Sequence, residues 1–125
     1  MTIEWEKYMQ EKFCYPITIT KVYDGDTVTC DIDLGFKIKL YKQKIRLFGI
    51  NTPEIRGSSR EQGIISKNKL KELILDKKVK LYSIKDKKGK YGRWLGILCV
   101  ENLDKSIINC NKILLEDGFA KEALY

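Results

Sequence analysis

The sequence RLFGINTPE at residues 46–54 is the stretch that decides the fold. Its apolar residues, between positions 47 and 50, predict a buried strand. The Thr-Pro pair that follows is typical of a strand that ends in a turn or a helix cap. We therefore expect Arg46 and Glu54 to be held close to the end of one rigid strand, with an oxygen-rich segment between them.

Two other segments add charged groups to this stretch. The sequence DGDTV at residues 24–28 contains an Asp-Gly pair between runs of high β propensity, which by itself predicts a hairpin turn. The sequence KYGR at residues 90–93 follows the basic run KDKKG, and by itself it indicates a glycine turn with solvated charges. Together the three segments supply a carboxylate suited to a hard cation, two arginines and a glutamate.

The order of these motifs resembles the staphylococcal nuclease, or thermonuclease, family. The resemblance runs from about Tyr15 to the C-terminus, and the sequence NKILLEDGFA at residues 111–120 resembles the last helix of the family. Three motifs in the same order are more specific than any one of them. The resemblance implies a thermonuclease-like endonuclease that hydrolyses phosphodiester bonds of DNA and RNA with little sequence preference and leaves 3′-phosphate ends.

The hydrophobic pattern predicts five strands and two helices. The strands are expected at residues 15–23, 27–34, 36–48, 79–84 and 94–100. The first helix should be opened by a capping box of Ser58 and Glu61 and end near Asp76. The second should be capped by Asn111 and ended by Gly118.

Finer features follow from the same pattern. A bend or bulge is expected at residues 42–44, and a short extended piece at 107–108. One face of the first helix carries its core residues, which are Gly63, Ser66, Leu70, Leu73 and Ile74. Residues 1–13 form a short N-terminal extension, in which Trp5, Met9 and Phe13 repeat at helical spacing. This repeat predicts either a brief amphipathic helix or an arm packed on the body of the protein.

Five short strands with an inserted helix and a terminal helix indicate an α+β fold, namely a small five-stranded OB-type β-barrel with a C-terminal helix. The family resemblance implies the same fold. At 125 residues we expect one domain that spans residues 1–125.

Composition narrows the classes of function. The 24 Lys and Arg residues outnumber the 17 Asp and Glu residues and give a net charge of +7, which favours a polyanionic partner such as nucleic acid. A lysine-rich surface without that role is the alternative. Histidine is absent, which excludes Ser-His and Cys-His hydrolases and histidine-ligated zinc sites. The four cysteines have no CxxC spacing, so we expect reduced, buried thiols.

The chain carries no apolar run long enough to span a membrane. Its N-terminus has early acidic residues and no apolar region, which argues against a signal peptide. We therefore expect an intracellular protein without membrane contact. We also expect a monomer.

Three neighbouring side chains predict a metal site. Asp26 supplies a carboxylate, Asn51 a side-chain carbonyl and Thr52 a backbone carbonyl or a hydroxyl, and hard cations prefer such oxygen ligands. The resemblance implies one Ca²⁺ at these positions, with Mg²⁺ or Mn²⁺ as alternatives, and Glu54 in contact with the ion through water. The best-known family members have aspartate at the position of Asn51. The loss of one anionic ligand therefore predicts weaker calcium binding.

The predicted catalytic residues are Arg46, Glu54 and Arg93. An arginine fork can contact a phosphate through two bonds, so we expect both arginines to stabilise the charge that develops when water attacks the phosphorus. The resemblance gives Glu54 the role of general base.

The predicted substrate-binding residues belong to the basic loop. By resemblance, Lys90 and Tyr91 match positions that contact a phosphate and a sugar of the substrate. Lys87 and Lys88 are expected to bind the nucleic-acid strand through its phosphates. The family often places tyrosines in the nucleotide pocket, and Tyr125 is the candidate here.

Two other functions compete with the nuclease. One is a catalytically silent OB-type module that binds nucleic acid or protein, and the other is a structural or inhibitor-type interaction protein. A silent module typically loses the arginines or the glutamate. Arg46, Glu54, Asp26 and Arg93 are all present here, which favours the nuclease.

Overall fold

The computed structural model describes residues 2–84 and 94–123. The β-strands are β1 (Cys14–Asp24), β2 (Thr27–Gly35), β3 (Ile38–Leu47), β4 (Gly49–Asn51), β5 (Lys78–Ile84), β6 (Trp94–Glu101), β7 (Ile107–Asn109) and β8 (Lys121–Ala123). The α-helices are α1 (Arg60–Ile74), between β4 and β5, and α2 (Cys110–Glu116), between β7 and β8.

Strands β1, β2, β3, β6 and β5 close into a five-stranded mixed barrel. Neighbouring strands are antiparallel except β3 and β6, which pair in parallel with Arg46 opposite Leu95 and Leu47 opposite Gly96. Strand β7 extends the sheet beyond β6, while β4 and β8 pair in a separate two-stranded sheet. With its two helices this is the small OB-type α+β fold that the sequence predicts.

The core lies inside the barrel and under the helices. Its central side chains are fully buried or nearly so, and they include Val28, Ile45, Leu81, Ile97 and Leu114. The predicted apolar face of α1 is confirmed, since its residues pack toward this core. No helix in the described part of the chain combines the length and the apolarity needed to cross a bilayer.

The apolar run at residues 47–50 is buried as predicted, but it is not one continuous strand. Strand β3 ends at Leu47, and the chain turns at Gly49, whose φ is +81°. Glycine adopts this conformation without strain. A Cβ at Gly49 would also lie 2.9 Å from Ile3 Cδ1. The turn redirects the chain out of the barrel wall, so that Arg46 remains on β3 while Asn51 lies at the end of β4.

The bend expected at residues 42–44 is confirmed at Lys42, which has a φ of +54°. Cys30 on β2 lies opposite Gln43 on β3, yet Ile32 lies opposite Leu40, so β3 holds an extra residue at this point. Such a bulge bends the strand locally. Beyond it, β2 and β3 continue as a two-stranded hairpin that projects from the barrel.

Of the two alternatives that the sequence left open, the structure shows the arm packed on the body and not the amphipathic helix. Residues Trp5–Tyr8 and Glu11–Phe13 form two 3₁₀ turns. Trp5 is buried edge-on against Phe48, with ring centroids 6.5 Å apart, and Tyr8 contacts the same ring at 4.5 Å. Residues three apart lie above one another in a 3₁₀ turn, so this spacing brings both rings onto Phe48.

The capping box predicted for α1 is wrong. The N-cap residue is Ser59, and its hydroxyl donates to two backbone carbonyls of the preceding loop instead of accepting from the helix. A 3₁₀ turn at Gly57–Ser59 occupies the place where Ser58 and Glu61 would have opened the helix, so α1 begins only at Arg60. The helix ends at Ile74, two residues before the predicted end.

The cap predicted for α2 also lies on the wrong asparagine. The side chain of Asn109 accepts a hydrogen bond from the backbone N–H of Lys112 at 3.0 Å, which is the N-cap contact. Asn111 lies inside the first turn and is fully buried. The predicted end of the helix is confirmed, since Gly118 follows the C-cap with a φ of +83°.

Asn111 uses its buried amide to connect three backbone segments. Its Nδ2 donates to the carbonyls of Phe48 and Gly96 at 2.9 and 3.1 Å, and its Oδ1 accepts from the N–H of Leu98 at 3.1 Å. The side chain thereby fixes α2 to β6 and to the turn between β3 and β4.

The four cysteines are free thiols, as predicted. Cys30, Cys99 and Cys110 are buried, while Cys14 is half-buried. Burial raises the pKa of each of the three buried thiols to about 12, which leaves them protonated and unreactive at neutral pH.

Candidate active site

Asp26 is the point at which the predicted site residues meet. It lies in the turn between β1 and β2 and is 6% exposed. Its Oδ2 accepts from the backbone N–H of Thr52 at 2.9 Å, and its Oδ1 accepts from the hydroxyl of Thr27 at 3.1 Å. A buried carboxylate requires such partners, because its desolvation is otherwise expensive. These bonds attach the Asp-Gly turn to the end of β4.

Arg46 connects Asp26 to Asn51. Its Nη1 lies 3.0 Å from Asp26 Oδ2, and its Nη2 donates to Asn51 Oδ1 at 3.0 Å. The side chain of Arg46 is only 10% exposed and that of Asp26 8%, so the ion pair is shielded from water. The fork of one guanidinium thus holds two of the three predicted metal ligands at fixed positions.

Thr52 completes the group. It is buried, and its Oγ1 has no hydrogen-bond partner among the described residues. Asn51 lies just before it and pairs with Lys121 of β8, so the C-terminal strand holds the outer edge of the site. The structure therefore brings Asp26, Asn51, Thr52 and Arg46 together, as the motif spacing predicts.

Two glycines allow the supporting elements to approach this group closely. A Cβ at Gly25 would lie 2.7 Å from Thr52 Cγ2 and 2.8 Å from the Cβ of Ser66 on α1. A Cβ at Gly63 would lie 2.7 Å from the backbone oxygen of Glu54. Any larger residue at either position would displace the loop that carries Thr52 and Glu54. The Asp-Gly pair therefore serves close packing as well as the hairpin turn that the sequence predicts.

Glu54 lies at the edge of the site and is exposed. Its Oε2 accepts from Arg56 Nε at 2.8 Å. This hydrogen bond, together with the charge of Arg56, lowers the pKa of the Glu54 carboxyl below its usual range. Glu54 is therefore ionised at neutral pH, as a proton acceptor must be, but the partner that ionises it also weakens it as a base.

Asp24 differs from the other carboxyl groups of the site. Its Oδ1 accepts from the backbone N–H of Asp26 at 3.0 Å. Partial burial, followed by its side-chain hydrogen bond with Asp26 and the nearby Asp26 charge, raises the pKa of Asp24 to about 6. Two carboxyl groups that share so small a volume resist simultaneous ionisation.

These residues line one open cleft with a volume of about 690 Å³. Seven of its lining residues were not among the predicted site residues, and they are Lys21, Tyr23, Asp24, Thr27, Thr29, Lys44 and Arg56. The period of two along a strand could have found Lys44, since it lies two residues before Arg46 and faces the same side. No feature of the sequence indicated Arg56, because its contact with Glu54 depends on the path of the loop after Pro53.

The comparison with known families adds to this geometry. The model of the family described as staphylococcal nuclease homologue matches residues 44–125. This match takes in well over half of the chain, including the site residues from Arg46 onward.

The chain belongs to the staphylococcal nuclease homologue family.

One relative of this family member is an uncharacterized protein of Methanocaldococcus jannaschii. The two are 30% identical over 124 residues, which take in 82% of this chain and 56% of the relative. The chain therefore spans little more than half the length of the curated relative that it matches.

For a nuclease homologue, the donor set of the site fits a hard cation in kind. The carboxylate of Asp26, the amide oxygen of Asn51 and the unpartnered hydroxyl of Thr52 are all oxygen donors. Within residues 2–84 and 94–123, no three Cys, Asp or Glu side chains converge as metal ligands would. A cation at this site would accordingly rest on one direct carboxylate and on neutral oxygens.

Several predicted site residues of this nuclease homologue lie outside the described residues. They are Lys87, Lys88, Lys90, Tyr91, Arg93 and Tyr125. Their roles therefore stay predictions.

Proposed function

We propose that the chain is a metal-dependent nuclease, which hydrolyses phosphodiester bonds of DNA and RNA with little sequence preference. The observation that carries the proposal is the convergence of Arg46, Asp26, Asn51 and Thr52 on one open, cation-rich cleft. Membership of the nuclease homologue family supports it.

Arg46 would supply the fixed positive charge of the reaction. Its guanidinium is held by Asp26 and Asn51 and lines the cleft, so it needs little rearrangement when negative charge develops on a phosphate placed there. Preorganised donors of this kind contribute most of the electrostatic stabilisation in enzymes. Arg93, whose role stays a prediction from the sequence, would add a second donor to the phosphate.

Glu54 would receive the proton of the attacking water. Its carboxylate lines the cleft and is ionised. One of its oxygens accepts a hydrogen bond from Arg56, which makes that oxygen less able to accept the proton of the water. We propose that Glu54 mainly orients the water, and that Arg56 sets the position of the carboxylate.

The residues that would hold the cation are Asp26, Asn51 and Thr52. A bound Ca²⁺ would offset phosphate charge and help to make the nucleophilic water acidic. Asn51 and Asp26 would orient the cation through oxygens that Arg46 already holds in place.

A second function, a silent OB-type module that binds nucleic acid, is favoured by one specific observation. The two predicted catalytic residues that the structure describes already have protein partners, since Arg46 bonds Asp26 and Asn51 while Glu54 bonds Arg56. A silent module would keep the cleft and its cations and lose turnover.

The deciding measurement is the release of acid-soluble nucleotides from single-stranded DNA and from RNA, with Ca²⁺, Mg²⁺, Mn²⁺ and a chelator compared. The nuclease predicts release with one of the cations and none with chelator. Glu54→Gln, which keeps the size of the side chain, should lower the rate, whereas Glu116→Gln on the far end of α2 should not. Binding of the strand without release under any cation would establish the silent module.

A further inference from the structure

We propose that Tyr23 forms a base-stacking subsite at the rim of the cleft, where it receives an unpaired base of the substrate strand. The inference rests on the proposed function for the identity of the strand, and it assigns to β1 a role that none of the motifs carries.

Tyr23 is an exposed aromatic residue that lines the cleft. It lies near the end of β1, one residue before Asp24, and lines the same cleft as Arg46. Its exposed fraction is 62%, although neighbouring Val22 on the opposite face is buried in the core. A large ring held in solvent beside a phosphate-sized cationic site is the arrangement that single-strand binding proteins use for bases.

A lysine side chain contacts the ring of Tyr23. Lys21 Nζ lies 5.9 Å from the ring centroid, which is within the range of a cation–π contact. Arg56 lines the same cleft, where it pairs with Glu54. The ring thus lies in a cleft that also carries lysine and arginine side chains, which can contact backbone phosphates.

The register of the sheet continues this pattern away from the rim. Lys21 lies opposite Thr29 on β2, and Thr29 lies opposite Lys44 on β3. Two residues further along β3, Arg46 lies opposite Thr27. The cleft wall therefore presents lysine, threonine and lysine side by side next to the row that holds Arg46. A strand whose phosphate reaches Arg46 can place adjacent phosphates on this row and a base on Tyr23.

A stacking residue selects the form of the nucleic acid. The bases of a duplex are already stacked on each other, so their faces cannot reach Tyr23, whereas a single strand exposes every base. Tyr23 should therefore create a preference for single strands over duplexes, while the lysines bind the phosphates of both forms.

The test measures binding of a fluorescent oligothymidine in chelator, where no cleavage occurs. Tyr23→Ala should weaken binding about tenfold, because one stacked base contributes about that factor. Tyr23→Phe, which keeps the ring, should bind within about twofold of the parent. Tyr41→Ala is the matched control, since Tyr41 is similarly exposed on β3 but does not line the cleft; it should bind like the parent.

A second ligand separates the base from the phosphates. An oligomer of abasic deoxyribose phosphate with the same length offers the same charge without bases, so the parent and Tyr23→Ala should bind it equally. The preference of the parent for a single strand over a duplex should shrink in Tyr23→Ala.

Three results would overturn the subsite: equal binding of oligothymidine by the parent and Tyr23→Ala, an equal loss with the abasic oligomer, or no single-strand binding by the parent. The cleavage assay is independent of these measurements. If Tyr23 does not bind a base but the protein still cleaves nucleic acid, the nuclease proposal is retained and the subsite is rejected. If Tyr23 binds a base and no cleavage occurs, the silent module is supported.

Discussion

Arg46 combines two roles in one side chain, because the guanidinium that would face the phosphate also neutralises a buried carboxylate. Removing Arg46 would leave the charge of Asp26 without its ion-pair partner, although the side chain of Asp26 is only 8% exposed. Breaking a buried pair by deleting one partner costs roughly 3–5 kcal/mol. A test of catalysis therefore needs a variant that keeps a charge at this position.

Arg46→Lys is that variant. The lysine keeps a cation beside Asp26, but it lacks the fork that reaches Asn51 as well. We expect a folded protein whose kcat is lower by at least about a hundredfold, as for the loss of one preorganised donor. Arg46→Ala should lose activity and about 3 kcal/mol of the free energy of unfolding. Nucleotide release and urea denaturation measure the two effects, and near-parental turnover by Arg46→Lys would remove the residue from the catalytic set.

Asn51→Asp tests the metal site directly. The change adds a second carboxylate beside Asp26, and the number of ligand charges tunes the affinity of Ca²⁺ sites. We expect tighter Ca²⁺ binding with little change in turnover at saturating metal. Asp26→Ala should abolish binding. Calorimetric titration with Ca²⁺, in the presence of a nucleotide phosphate analogue, gives the affinities. If Asn51→Asp binds no better than the parent, Asn51 is not a ligand.

The raised pKa of Asp24 predicts that the stability of the protein, measured in the presence of a chelator, depends on pH. Its pKa rises from 3.8 in the unfolded chain to about 6 in the fold, chiefly through burial. The folded state therefore holds the proton more tightly. This stabilisation is complete below about pH 4 and is lost as pH rises through 6. Asp24→Asn keeps an oxygen acceptor for the N–H of Asp26 and removes the ionisation. Its melting temperature should match the parent at pH 3.5 and exceed it at pH 7; a gap independent of pH would contradict the assignment.

Sequence reasoning predicted which residues lie together in the cleft but not the partners that set their properties. Motif spacing was enough for Asp26, Arg46, Asn51 and Thr52, because each lies at a strand end that the barrel brings to one edge. The contact between Glu54 and Arg56 depends on loop geometry, which no periodicity encodes.

At the scale of elements, α2 depends on two asparagines that do different work. Asn109 caps the first turn, whereas Asn111 satisfies two carbonyls and one N–H in the core. Loss of an N-cap costs about 1 kcal/mol, while each buried polar group left unpaired costs roughly 1–3 kcal/mol.

Asn109→Ala and Asn111→Ala form a matched pair on the same helix. We expect the first to lower the free energy of unfolding by about 1 kcal/mol and the second by at least about 3 kcal/mol. Urea denaturation compares them. Equal losses would show that the amide of Asn111 does not support the junction of α2, β6 and the turn at Gly49.

The elements themselves were largely predictable and their boundaries were not. Alternating apolar residues located the five barrel strands, because one face of each must be buried. The predicted caps were wrong because a serine or asparagine near the start of a helix can form several different hydrogen bonds, and the fold determines which of them forms. Ser58 lies in the 3₁₀ turn before α1 and Asn111 bonds the core, although both fit a cap in the sequence.

For the whole molecule, the net charge of +7 predicts binding of nucleic acid that weakens with salt. Each phosphate contact on a single strand contributes about −0.7 to the slope of log K against log salt. Neutralising Lys87 and Lys88 together should therefore make the slope shallower by about 1.4. The matched control neutralises Lys37 and Lys39, which lie on the projecting hairpin outside the cleft. An equal change in both variants would mean that overall charge, not contact by the loop, determines binding.

Two predictions at this scale await other measurements. The single domain at residues 1–125 is predicted from the length of the chain, and the monomer is an expectation that length and composition do not establish. Analytical ultracentrifugation tests the second.

The pairing of β4 with β8 has a consequence for biosynthesis. Asn51 lies opposite Lys121, so the strand that carries the site residues reaches its partner only when the chain has grown by 70 further residues. Translation at about 5–20 residues per second makes this an interval of roughly 4–14 s. Throughout that interval the nascent chain is attached to a ribosome, which contains RNA, and is held close to its messenger RNA. In a nuclease with this topology, the edge of the site that β4 carries would be completed only after Lys121 had been synthesised.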